Sequence, residues 1–256
     1  MSETGRFFQA EGGPRERVAA AMRPLITMLV SAEFDDRVLE DAAEVVDALT
    51  KTMAAHAGPK RPRRPPDLRG SVQEFFPTSP IMGPANPIAP PVLVEVVDGP
   101  EGGPREIRAE AWYDWPYEGP PACVHGGVIA ETLDEILGAA SIVAGQPGMT
   151  GTLTIRYRKP TPLRTPLRIE SRVTGRDGRK VFAWGGIYRD HELTAEAEGV
   201  FIDVMPKQLL AIVESNTEGA DDLVVAAIRE EAARAGAASD VQGSILQARD
   251  DPTQTG

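Results

Sequence analysis

The chain has 256 residues, 41% hydrophobic and 25% charged, enough for one large folded domain or a medium one with extensions. Its 38 acidic residues outnumber 27 basic ones, for a net charge of −11. That argues against a nucleic-acid binder, which needs a basic face to displace phosphate counterions, but a local basic cluster would still hold a small phosphate-bearing ligand.

In chain order, the first signal is helical. Val18, Met22, Leu25, Ile26 and Leu29 recur at helical spacing. A second set, Val38, Leu39, Val45, Val46, Leu49 and Met53, follows an Asp35-Asp36 start. Residues 1–57 are therefore expected to form a helical extension whose apolar face packs on the domain that follows. Residues 58–85 carry Gly58-Pro59-Lys60-Arg61-Pro62 and further prolines, which deny helix and ladder hydrogen bonds, and read as a linker.

Residues 86–206 read as the main domain. Val92 to Val97 and Arg105 to Tyr113 are expected strands around a glycine-rich turn. From His125 to Ala144 the period becomes helical, with Val128, Ile129, Leu133, Ile136, Leu137 and Ala140 on one stripe and Gly145 as the stop. Strand signals then run on without helices: Thr152 to Lys159, Arg164 to Thr174 and Lys180 to Tyr188 about Asp177-Gly178, and Leu193 to Val204. One long helix followed by an antiparallel meander is an α+β layout. Residues 207–256 read as a helix from about Asp221 to Ala235 and a polar, acidic, disordered tail.

The single cysteine, Cys123, permits no internal disulfide and suits a reducing compartment. The first residues lack a signal-peptide core, and no apolar run nears the roughly 20 residues of a membrane span. A cytoplasmic protein is the expectation. Three scattered histidines and one cysteine lack metal-ligand spacing.

Chemistry points to the segment Glu118 to Gly127. Gly126 and Gly127 open the long helix, where free amides and partial positive charge suit a polarised carbonyl or oxyanion; a glycine turn needed only for packing reads equally well. Asp134 sits among Leu133, Ile136 and Leu137 as a candidate base or nucleophile, whereas Glu131 is expected on the solvated face. Eight residues separate Gly126 from Asp134, roughly 12 Å along a helix, while a base must come within about 3 Å of its water. If both act, a second copy of the helix must bring Asp134 to the glycines.

The run His125-Gly126-Gly127-Val128-Ile129-Ala130-Glu131-Thr132-Leu133-Asp134 resembles the signature of hotdog-fold acyl-CoA thioesterases of the phenylacetate-degradation type. Gly119-Pro120-Pro121 before it, Tyr157 to Leu163 after it and Gly178-Arg179-Lys180 are similar to the subgroup that contains human thioesterase superfamily members four and five. The resemblance implies a hotdog fold, a long central helix wrapped by an antiparallel sheet, and hydrolysis of acyl-CoA in a homodimer or a tetramer of such dimers. CoA would be part of the substrate, with no separate cofactor.

By the same resemblance the amides of Gly126 and Gly127 hold the thioester carbonyl, His125 orients the loop or touches the thioester, and the partner's copy of Asp134 activates water or attacks. Thr150 matches a hydroxyl that places the water. Where many relatives carry an upstream asparagine or glutamine, this chain has Glu118 and Gly119. Arg158, Lys159 and Lys180, within a basic cluster on the strands, are candidates for the CoA phosphates, or else edge charge. Trp112, Trp115 and Trp184 are expected to pack. Two other readings stay open: a dehydratase or hydratase of acyl thioesters, and a non-catalytic acyl-CoA-binding or protein-interaction module.

Overall fold

In the computed structural model the described residues are 12–58 and 76–203, which apart from Gly58 belong to one compact unit. The expected Asp221–Ala235 helix, the acidic tail and most of the 58–85 linker lie outside them. The elements are α1 (Pro14–Ser31), α2 (Asp36–Ala55), β1 (Val92–Val97), β2 (Glu106–Ala111), α3 (Gly126–Val143), β3 (Met149–Tyr157), β4 (Leu167–Asp177), β5 (Lys180–Arg189) and β6 (Glu192–Ile202). The six strands form one antiparallel sheet in the order β1-β2-β4-β5-β6-β3. With α3 packed against it, this is the hotdog arrangement, an α+β fold.

Sequence periodicity explains the packing. The α3 stripe Ile129, Leu133, Ile136, Leu137 and Ala140 is buried. It meets the alternate residues Leu167 and Ile169 of β4, Val181, Ala183 and Ile187 of β5, and Ala195, Ala197 and Phe201 of β6. Leu137 needs small residues beneath it. A Cβ at Gly185 would lie 2.6 Å from one of its methyls, and a Cβ at Gly199 2.9 Å from the other. These two glycines let the helix lie close to the sheet. Asp177 pairs with Lys180 across a two-residue turn, in which Gly178 has φ +55°.

Strand β3 ends the sheet. Within it only Leu153 and Ile155 are half-buried, and the other seven residues are exposed. Such an edge presents unpaired amide and carbonyl groups along one side.

The two N-terminal helices differ from each other. Helix α1 packs against the Trp115–Tyr117 turn. Arg23 of α1 donates to the carbonyls of Pro84, Asn86 and Ala89, each at 3.0 Å. Helix α2 buries no residue, so the expected packing of both helices on the domain holds for α1 alone.

The segment from Phe76 to Pro91, read up to residue 85 as linker, is packed: Ile81, Met82, Ala85 and Ala89 are buried, and Met82 joins the core. Proline supplies no amide hydrogens, so the chain's carbonyls need donors from elsewhere. Short turns provide some, such as Gly83 N–H to the Ser79 carbonyl and Ala85 N–H to that of Pro77. The Arg23 guanidinium provides three more. Its burial lowers its pKa from the ordinary arginine value.

Candidate functional site

The first cluster lies at the start of α3. His125 is the N-cap, and its Nδ1 accepts the Gly127 amide at 3.0 Å. An imidazole that accepts at Nδ1 carries its proton, when neutral, at Nε2, and His125 is exposed. The Gly126 amide has no acceptor among the described residues. Its carbonyl accepts from the Tyr157 hydroxyl at 2.9 Å, which places the end of β3 over the helix start. This turn therefore offers one free amide and one imidazole N–H, with the Gly127 amide engaged by His125.

The loop before the helix is tied in several places. His125 N–H donates to the Tyr117 carbonyl, Val124 N–H to that of Thr161 and Leu163 N–H to that of Ala122. The Glu118 carboxylate accepts the Ala122 amide at 2.7 Å, steadying a residue with φ +58°. Gly119 is sterically required, because a Cβ there would come within 2.7 Å of the His125 Cα. That close approach is the physical content of the glycine in Gly119-Pro120-Pro121. Glu118, which stands where an amide side chain was sought, serves the loop itself.

The second cluster lies two turns along α3. Asp134 is half-buried, and the exposed Thr150 of β3 donates to its Oδ1 at 2.9 Å. The structure thus brings Asp134 and Thr150 together and leaves Oδ2 of the carboxylate for another partner. Glu131 is exposed, as expected. Eight residues of helix, roughly 12 Å, keep this carboxylate from the Gly126 amide of its own chain.

Sequence reading missed two participants. Glu135, next to Asp134, is half-buried and accepts from Ser79 Oγ, which itself accepts the amides of Ile81 and Met82. Burial raises the Glu135 pKa above the usual carboxylate range, the Ser79 bond opposes this, and the Asp134 charge adds to it. Tyr157 was legible only as part of a motif. No local pattern announces either contact, since the bonded partners are 56 and 31 residues apart.

The basic candidates separate. Arg158 pairs with Glu196, and its Nε donates to Oε1 at 3.0 Å; Lys159 pairs with Glu192. Glu196 also accepts Trp184 Nε1 at 3.0 Å, and these bonds hold its carboxyl below the usual range. Lys180 is exposed and makes no ion pair among the described residues. The amides of Arg158 and Lys159 bond to the Thr194 carbonyl, whereas Lys180 pairs with Ile202. Those β6 positions are roughly 26 Å apart at 3.3 Å per residue, so one chain does not gather all three on one phosphate. Among the described residues no three His, Cys, Asp or Glu side chains form a metal site, and no helix is long and apolar enough to cross a membrane.

Comparisons with known proteins bear on the family and the fold. A solved structure described as a thioesterase superfamily protein is 33% identical, covers 75% of this chain and 92% of its own, and superposes with a TM-score of 0.66. Residues 123–196 match the thioesterase superfamily. The chain belongs to the thioesterase superfamily. Acyl-coenzyme A thioesterase THEM4 of Xenopus laevis is 40% identical over 94 residues, which are 36% of this chain and 42% of that protein. THEM4 of Mus musculus is 37% identical over 95 residues, 36% of this chain and 41% of its own. The chain thus spans only about two fifths of the length of these relatives.

Proposed function

We propose that this chain hydrolyses acyl-CoA thioesters to the free acid and CoA, as a hotdog thioesterase of the phenylacetate-degradation type, at a site shared between two copies. The Gly126 amide, with His125 Nε2–H beside it, holds the thioester carbonyl of one copy's site and stabilises the oxyanion as charge develops there. Asp134 of the second copy, oriented by Thr150, takes a proton from the attacking water through its free carboxylate oxygen, or itself attacks the carbonyl carbon. With water as nucleophile, the C–S bond then breaks and the CoA sulfur leaves with the proton taken up by Asp134. With Asp134 as nucleophile, the same cleavage leaves an acyl–aspartyl anhydride, which water hydrolyses to the free acid while its proton goes to the CoA thiolate and the carboxylate is restored. Lys180 and the Arg158–Lys159 pair, which bond at opposite ends of β6, would meet CoA phosphates.

One observation carries this reading: a half-buried Asp134 fixed by Thr150 at 2.9 Å, on the helix that also presents the unengaged Gly126 amide, yet out of that amide's reach. The exposed β3 edge, which carries Thr150 and Tyr157, supports pairing with a second copy.

The test is thiol release from acetyl-, octanoyl-, palmitoyl- and phenylacetyl-CoA by the native chain and by folded Asp134→Asn. We expect hydrolysis that falls at least about a hundredfold in the variant, the scale of losing a catalytic base. Equal activity in the two would remove Asp134 from the mechanism. Binding of intact acyl-CoA without turnover would favour the binding-module reading.

A further inference from the structure

A cavity of about 210 Å³ lies between α1, the proline-rich segment and the Trp115–Tyr117 turn. Ile26 of α1, Pro87, Ile88 and Pro91 of the proline-rich segment, and Trp112 and Tyr117 are among its lining. Three of the polar side chains around it, Arg23, Asp114 and Tyr117, are engaged elsewhere. Arg23 is bonded to three carbonyls, Asp114 accepts the Trp115 amide at 2.9 Å, and the Tyr117 hydroxyl donates to the Ile88 carbonyl at 2.9 Å. Apart from the Thr27 hydroxyl, the remaining lining is mostly aliphatic and aromatic, from Ile26, Pro87, Ile88, Pro91, Trp112 and Pro116, which suits an apolar occupant.

The cavity adjoins the helix start through a single residue. Tyr117 lines it with its side chain, while its backbone carbonyl accepts the His125 amide at 2.8 Å. An apolar cavity of about 150 Å³ accepts benzene, so this one suits an apolar group of roughly six to eight carbons.

We infer that this cavity is the acyl subsite, which receives the apolar end of a medium straight-chain or single-ring acyl group, with α1 as the wall that limits its size. The inference rests on the thioesterase reading and adds the substrate class to it. It also gives α1 a part in specificity: a domain lacking this helix would have an open shelf in place of a pocket.

The test compares the native chain with Ile26→Trp, which fills the cavity from α1. Ile88→Trp fills it from a residue that is 61% exposed and so leaves the core intact if the first variant misfolds. The readout is the ratio of kcat/KM for octanoyl- and phenylacetyl-CoA to that for acetyl-CoA. We expect the native ratio to exceed ten for at least one of the two, identifying an alkyl or aryl preference, and to fall at least tenfold in the variants. An unchanged ratio in a folded variant overturns the subsite and leaves the thioesterase reading standing. If the native chain cleaves no thioester, that reading fails, and octanoate and phenylacetate are titrated against tryptophan fluorescence instead. Saturable binding lost in Ile88→Trp supports the cavity, and its absence overturns it.

Discussion

At the scale of single residues, Asp134 and Glu135 are neighbours in the chain with different surroundings. Asp134 accepts from an exposed threonine on the edge strand, while Glu135 is turned toward the buried Ser79 and a segment of low polarity. Burial raises the Glu135 pKa, so its share of folding stability is present below the ordinary glutamate range and is lost as pH rises through the raised value. Glu135→Gln keeps a hydrogen-bonding group for Ser79 and removes the titration. We predict that the melting temperature of the variant relative to the native chain rises as pH climbs from the ordinary glutamate range through the raised value, and then levels off. A difference that stays flat across that range would contradict this assignment. Glu196 acts in the opposite sense: its depressed pKa gives stability present at neutral pH and lost only in acid, as pH falls through its lowered value.

At the scale of elements, α1 and α2 show how amphipathic spacing and actual burial part company. Both carry apolar residues at helical spacing, yet only α1 finds a partner, through one buried alanine and the Arg23 fork. Val45 is 69% exposed and Met53 58%, so α2 contributes little to the stability of the described unit. Arg23 contributes more, because three carbonyls of a donor-poor segment depend on it. Arg23→Ala should cost about 2 kcal/mol in urea unfolding, with Arg23→Lys recovering part of it. An Arg23→Ala protein as stable as the native chain would mean that water replaces the guanidinium at no cost.

How much of these elements was legible follows from the range of the interactions. The long helix was readable almost to the residue, because its apolar stripe, the glycines at its start and Gly145 are local signals; the structure places it at Gly126–Val143. The meander was readable for the same reason, with Gly178 marking its hairpin. In residues 76–85 proline content is a local signal for a linker, whereas the Arg23 bond to the Pro84 carbonyl comes from 61 residues away. Chemistry and spacing mark Asp134 and the helix-start glycines as candidates. They do not mark the sites of Glu135 with Ser79, or of Tyr157 over Gly126, because these depend on how distant segments meet.

At the scale of the whole molecule, the fold places an amide-bearing helix start and a threonine-fixed carboxylate on one helix and keeps them apart. In the dimer we propose, a two-fold axis would offer each copy's helix start to the other's carboxylate and complete two equal sites. Gly126 stands at the first helical position, where proline fits the backbone and removes only the N–H. Gly126→Pro and Asp134→Asn should therefore each inactivate their own homodimer while leaving it folded.

The most direct measurement is coexpression of those two inactive chains, followed by acyl-CoA hydrolysis by the mixed population. If the site is shared between copies, half of the dimers hold one intact site, and activity returns to about a quarter of native. If the mixture stays as inactive as its parents while heterodimers are present by mass, the carbonyl-holding turn and the carboxylate do not meet across chains, and the shared site is wrong.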